Sequence, residues 1–364
     1  MCSFWWAVAV PLPRRGPGTY GQRMAIDRGH CILPPELLAR VVRHAGSAAR
    51  ESALSTLVLD ASMRTVRLET PPTRSMILPR SDDLQRSIHT ASGTETQPGE
   101  LVRFEGDGPT GDPATDEAYD GLGATWRLLR EAYGRSSIDD EGLPLVATVH
   151  YGQDYDNAFW DGTQMVFGDG DDQLFRRFTV AIDVIGHELA HGMTQDEVGL
   201  VYSGQSGALN ESVSDVFGSL VKQHALGQSA SEADWLIGEG LFTDAVQGVA
   251  LRSMKAPGTA YDDPVLGKDP QPGAMADYVQ TTRDNGGVHL NSGIPNRAFF
   301  LAATAIGGNA WQGAGQVWYD TIRDAQLRPT TRFTGFARAT VRAARVYGTH
   351  EAVADAWAQV GVTA

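Results

Sequence analysis

The segment from Val180 to Met193 reads Val-Ala-Ile-Asp-Val-Ile-Gly-His-Glu-Leu-Ala-His-Gly-Met and sets His187 and His191 four residues apart. On a helix that spacing puts two imidazoles one turn apart on one face, where they can share a metal ion. Glu188, beside the first histidine, stands where a general base toward a metal-bound water is needed. Twenty residues after His191, Glu211 and Asp215 repeat the four-residue spacing within a second helical pattern. A catalytic zinc takes three protein ligands and keeps one position for water, so Glu211 completes a two-histidine, one-glutamate set. Asp215 is then placed to accept a hydrogen bond from the second ring nitrogen of a ligand histidine, fixing its tautomer and raising its basicity. A three-histidine zinc pattern fails here, because Thr194 and Glu197 stand where it requires Gly and His. The bland alternative, two surface histidines on an amphipathic helix, leaves Glu211 and Asp215 unexplained.

Such residues need rigid elements to hold them. From residue 179 onward helical patterns dominate, ending in two amphipathic helices near 334–347 and 350–360. Upstream, the pattern predicts a helix over 117–133, an apolar strand over 145–151, and a loop-rich span over 152–173 full of Asp and Gly. Residues 34–60 also read as helical, with Leu37, Leu38, Val41 and Val42 before Gly46 and Leu54, Leu57 and Leu59 after it. Between them, 70–115 is rich in Thr, Pro, Ser and Gly and suits a linker or processing region, with Leu57, Ile77 and Ile88 as apolar residues that could follow a cleavage point.

The chain has 364 residues, 42% of them hydrophobic, and a net charge of −14. That excludes a disordered chain and argues against a nucleic-acid partner, which calls for a basic face. No apolar run reaches the roughly 20 residues that span a bilayer. The charge is split: residues 1–80 carry eleven Arg and five acids (+6), and the remainder carries 19 bases and 39 acids (−20). Both cysteines, Cys2 and Cys31, lie in the basic part, so no disulfide framework holds the acidic body. The first residues are apolar without a preceding positive charge, a poor secretory signal, and Met24 is an alternative start.

Together, His187-Glu188-x-x-His191 and Asn210-Glu211-x-x-x-Asp215 resemble the thermolysin-like neutral metalloproteases, over roughly residues 105–364. The resemblance implies an α+β, two-lobed fold, with a β-rich N-terminal lobe (86–200, including the zinc helix), a mainly helical C-terminal lobe (201–364) and the zinc cleft between them. It implies one catalytic Zn2+ held by His187, His191 and Glu211, with Glu188 passing a proton from water to the leaving amine. Asp284-Asn285-Gly-Gly-Val-His289 is similar to the family's second catalytic motif, which makes His289 a transition-state donor oriented by Asp284. Tyr202 matches the second oxyanion donor. Asn157-Ala158-Phe159-Trp160 resembles the edge strand that holds the peptide, and Arg252 matches the residue that binds its backbone carbonyl. Phe175, Phe178, Val184, Ile237 and Leu251 match the pocket for the residue after the scissile bond, which implies cleavage before Leu, Phe, Ile or Val.

One departure concerns calcium. Asp183, Asp234 and Glu239 match the acids of the family's double calcium site, but Lys222 and Leu236 stand where two more acids belong. A lysine ammonium there substitutes for a cation, so a full double site is not expected, although one weak calcium is compatible with the remaining acids. The loop Asp169-Gly-Asp171-Asp172 reads as a solvated turn or, alternatively, as a calcium ligand set.

The stretch His30-Cys31-Ile32-Leu33-Pro34-Pro35-Glu36-Leu37-Leu38 resembles the short propeptide motif of the protealysin-like branch, which makes residues 1–85 a leader and prosegment. A basic prosegment over an acidic cleft accounts for the charge split. Cys31 suggests a latch in which its thiolate takes the open zinc position. The implied function is a secreted zinc endopeptidase made as a latent precursor, monomeric, with peptide and protein substrates and its own propeptide as inhibitor. The alternative is a catalytically silent zinc-binding relative that acts as a scaffold.

Overall fold

The computed structural model describes residues 31–69 and 80–364. The alternative start at Met24, Cys2 and Ile77 lie outside the described residues. The chain opens with a helical hairpin, α1 (Pro35–His44) and α2 (Ser47–Glu69). Pro35 sits in the first turn of α1, where its missing N–H costs nothing. Leu37, Leu38 and Val41 are buried on one face, each contributing about 2 kcal/mol of apolar burial. The helix α2 runs nine residues beyond the expected limit of 60, since no breaker occurs before Pro71-Pro72.

A five-stranded sheet follows, in the order β2-β1-β3-β5-β4. Its strands are β1 (Arg86–Thr90), β2 (Glu100–Phe104), β3 (Leu145–Val149), β4 (Ala158–Trp160) and β5 (Met165–Phe167). The pairs β1–β3 and β3–β5 are parallel, while β1–β2 and β4–β5 are antiparallel, which leaves β4 at the edge. Every residue of β3 is buried, as a central strand covered on both faces must be. The strand ends short of 151 because His150 has φ +53°. Of the candidate cleavage points, Leu57 is inside α2 and Ile88 is buried in β1.

The helix α3 (Pro113–Tyr133) packs on this sheet. Its start is fixed by Asp112, which accepts the Thr115 N–H at 2.8 Å, and its end by Gly134 at φ +63°. The central pair α4 (Ile182–Glu197) and α5 (Gly204–Leu226) joins the sheet to the helical half. That half contains the short strands β6 (Leu236–Ile237) and β7 (Arg252–Ser253) and the helices α6 (Asp284–Asn291), α7 (Gly293–Ile306), α8 (Ala314–Arg323), α9 (Phe333–Ala344) and α10 (His350–Gln359). Trp318 and Trp357 stack in its core with their indoles nearly parallel, and Phe336 meets both edge-on. The result is an α+β molecule, β-containing toward the N-terminus and mostly helical toward the C-terminus.

Candidate active site

The site residues expected from the sequence meet because α4 and α5 approach each other closely. A Cβ on Gly218 would come within 2.4 Å of the Asp183 carbonyl oxygen, so only glycine lets the two backbones lie this near. Across that contact His187, Glu188 and His191 of α4 face Glu211 and Asp215 of α5, all buried. The two Nε2 atoms lie 3.0 Å apart. Glu211 brings Oε2 to 3.6 Å from His187 Nε2 and Oε1 to 3.5 Å from His191 Nε2.

The outer nitrogens are fixed. His187 Nδ1 lies 2.8 Å from Asp215 Oδ1, and His191 Nδ1 lies 2.8 Å from Asn210 Oδ1 and 3.0 Å from Ser214 Oγ. Burial pushes both imidazoles down, His187 to about 4 and His191 to about 3, which leaves each neutral at pH 7. Glu211 Oε2 is buried and accepts no hydrogen bond among the described residues. Two neutral imidazoles turned inward and a carboxylate oxygen lacking a donor are the donor set that Zn2+ takes. Glu188 has a carboxylate oxygen within 4.8 Å of both imidazoles, and its Oε2 accepts the Trp160 N–H at 3.0 Å.

Asp215 is a hub. Burial would raise its pKa, but the Arg252 guanidinium and His187 outweigh that and hold the carboxyl well below its usual range. Arg252 donates through Nε and Nη2 at 2.8–3.2 Å, and Asn296 Nδ2 donates to Oδ2 at 2.8 Å.

His289 enters from α6. The chain from Asp284 to Gly287 runs through four positive φ values, which turns the Asp284 carboxylate back onto His289. Asp284 accepts both the His289 N–H at 2.8 Å and the Nδ1 proton at 2.6 Å. Burial opposes protonation of His289, but Asp284 and Glu211 outweigh it and lift the imidazole to about 9. Its Nε2 thus donates into the site, with the Tyr202 hydroxyl 3.2 Å away. That hydroxyl itself donates to Glu211 Oε1.

The segment Cys31–Leu33 lies along the edge strand β4. Cys31 bridges Phe159 in antiparallel sense, and the Ile32 N–H donates to the Ala158 carbonyl at 3.1 Å. The Leu33 N–H donates to Asn157 Oδ1 at 3.0 Å, and Arg252 Nη1 donates to the Ile32 carbonyl at 3.2 Å. Asn157, Ala158 and Arg252 thus grip one stretch of backbone. The apolar residues Phe175, Phe178, Val184, Ile237 and Leu251 are buried in the same cluster as Ile32, with Leu251 N–H bonded to the Ile237 carbonyl.

The Cys31 side chain packs with Ala91, Tyr151, Tyr155, Phe159 and Val166. A chain running antiparallel to β4 turns the Cys31 carbonyl inward, 3.2 Å from His289 Nε2. In the loop at Asp169–Asp172, Asp169 holds His150 at 2.8 Å, and Asp171 Oδ1 caps the N–H groups of Gln173, Leu174 and Phe175. Sequence reasoning missed Ser214 and Asn296 and assigned no role to Asn210. Only Asn210 carries a signal, its place next to Glu211.

Away from the zinc cluster, Lys222 Nζ lies 2.6 Å from Asp234, 2.9 Å from Glu239 and 3.5 Å from Asp183. Leu236 supplies only its N–H to Asp234 there.

Comparison with known proteins agrees with this geometry. The thermolysin metallopeptidase catalytic domain matches residues 80–195, and the alpha-helical domain of the same family matches 198–362. An extracellular metalloprotease of Pectobacterium carotovorum subsp. carotovorum is 52% identical over 91% of this chain and 96% of its own length. Protease PrtS of a Photorhabdus strain is 47% identical, with 91% of each chain covered. The solved precursor of protealysin, a metalloproteinase from Serratia proteamaculans, superposes with a TM-score of 0.85 at 52% identity, covering 92% of this chain and all of the other. The chain therefore belongs to the thermolysin metallopeptidase family, on its protealysin-like side, and is a zinc metalloendopeptidase with a propeptide.

Proposed function

We propose that this endopeptidase cleaves on the amino side of bulky apolar residues and is held latent by its own N-terminal segment. The observation that carries both points is the seat of Ile32. Its backbone is bound by Ala158 and Arg252, and its side chain is completely buried. An external peptide laid along β4 would use the same bonds, so the segment and a substrate exclude one another.

His187, His191 and Glu211 would hold Zn2+, which when bound would supply Lewis acidity toward a carbonyl and a water. Glu188 takes the water's proton and returns it to the leaving amine. His289, kept protonated by Asp284, and Tyr202 donate to the oxyanion, each donor worth about 3–4 kcal/mol in comparable sites. Asp215 orients His187 and Arg252 together, which ties the metal ligand to the substrate clamp. Profiling the mature enzyme on a peptide library tests the specificity: Leu, Phe, Ile or Val after the cleaved bond is expected, and a preference for charge there overturns it.

Further assignments follow from the same reading. Residues 1–85 form the removable leader and prosegment, 86–200 the N-terminal lobe and 201–364 the C-terminal lobe. Lys222 takes the part of calcium beside Asp183, so stability does not depend on added calcium. The enzyme is proposed to act as a monomer. The relatives named above include an extracellular metalloprotease, which supports secretion, and no described helix is long and apolar enough to cross a membrane.

A further inference from the structure

We propose that the precursor hydrolyses its own Cys31–Ile32 peptide bond, inside the very segment that blocks the cleft. The inference rests on the endopeptidase reading above and deepens it by naming the first substrate. Three observations set the register. The Cys31 carbonyl is the one that faces His289 Nε2, at 3.2 Å. The next carbonyl, of Ile32, is taken by Arg252 at 3.2 Å, and the Ile32 N–H is taken by Ala158 at 3.1 Å. The Ile32 side chain is fully buried, of the type the pocket selects, and Leu33 beyond it is fully buried too.

The sequence prevents a slip toward the C-terminus. Advancing by one residue would put Pro34 at the place of Leu33, with no N–H for Asn157 Oδ1, and advancing by two or three would put Pro34 or Pro35 at the place of Ile32, with no N–H for the Ala158 carbonyl. Immediately downstream α1 starts at Pro35 and is anchored by Leu37, Leu38 and Val41. The bond over the catalytic groups is therefore fixed by chemistry and by packing.

In the reaction, water adds its hydroxyl to the Cys31 carbonyl carbon, the C–N bond to Ile32 breaks, and the remaining proton goes to the Ile32 amine through Glu188. The products are a Cys31 carboxylate and an Ile32 ammonium. Residues 1–31 lose their covalent tie, while the α1–α2 hairpin stays attached to the catalytic unit through the chain beyond α2. Cleavage here thus trims the leader without removing the hairpin, and it differs from release of the whole prosegment.

The test uses the full-length, zinc-loaded precursor, followed by intact mass and N-terminal sequencing over time. A new N-terminus at Ile32 is expected, appearing at a rate independent of protein concentration because the bond is already seated. Ile32→Asp should slow its appearance at least roughly tenfold, and Glu188→Gln should leave the chain intact while it melts as the parent does. A 31–32 bond that persists while the chain is cut elsewhere, or a rate proportional to concentration, overturns the proposal. The mature enzyme is assayed in parallel on a peptide with Leu after the scissile bond. Inactivity there defeats the endopeptidase reading, whereas activity there with an intact 31–32 bond defeats this inference alone.

Discussion

Helices α4 and α5 share two clusters of charge, and each is neutralised by a different cation. At one, His187, His191 and Glu211 converge with an acceptor, Glu211 Oε2, that receives no hydrogen bond among the described residues. At the other, Asp183, Asp234 and Glu239 converge on Lys222 Nζ. The first requires an ion from outside and gains a Lewis acid. The second has its cation on the chain and gains only cohesion. Burial separates them as well: the zinc cluster is sealed, whereas the Glu239 carboxylate is half exposed. A lysine cannot serve at the first, because it leaves no coordination position for a substrate.

The largest effect is expected where the first cluster performs chemistry. Glu188→Gln should lower kcat by roughly 10³-fold or more, since general base catalysis alone contributes about 10²–10⁴. The metal content should remain one zinc per chain, measured by atomic absorption. Loss of zinc together with activity would show that Glu188 is needed to hold the ion, and the contrast between cohesion and chemistry would blur.

Next comes the second cluster. Lys222→Met should cost about 2–3 kcal/mol, below the roughly 3–5 of a fully buried pair because Asp234 and Glu239 reach solvent. Thermal unfolding measures it. Lys222→Glu sharpens the comparison, for four carboxylates then require an external cation as the zinc cluster does. Its melting temperature should rise with added Ca2+, by about 2.7 kcal/mol of stability at a hundredfold excess over Kd. The parent protein should not respond. A parent that calcium stabilises equally would remove the claim that Lys222 replaces the ion.

What the sequence discloses of these clusters depends on distance along the chain. His187 with His191, and Glu211 with Asp215, are legible because helix geometry turns a spacing of four into one face. The helical character of residues 34–60 is legible for the same reason, whereas the α+β architecture comes from the resemblance of the motifs to a known family. Lys222 shows as a departure, but its three partners span Asp183 to Glu239 and become neighbours only after folding. Asn296 is opaque: it reaches Asp215 across 81 residues, and nothing in its surroundings singles it out. At Cys31 the sequence draws attention to the thiol, while the backbone carbonyl that faces His289 has no signature in a sequence at all.

A third buried carboxylate shows a third solution, a proton. Asp156 lies just before β4 and is fully buried beneath α2. Ser52 Oγ donates to its Oδ2 at 2.7 Å, and its own N–H donates to Thr56 Oγ1 at 2.9 Å. Burial, with the nearby Asp171 carboxylate, pushes it up to about 8, from an ordinary 3.8. The sign is then fixed. Docking of α2 is fully supported below pH 4, where the acid is protonated whether docked or free. It loses that support progressively as the pH rises toward 8, because only the undocked state ionises freely. In the Glu188→Gln precursor, which cannot cut itself, an added protease should reach α2 several times faster at pH 8.5 than at pH 5.5, after correction for the protease's own pH dependence. Asp156→Asn, neutral throughout, should flatten that ratio. An unchanged ratio in the variant would assign the pH dependence to other groups at the interface, with Asp60 the first to examine, since it accepts hydrogen bonds from Tyr155 and Asn157.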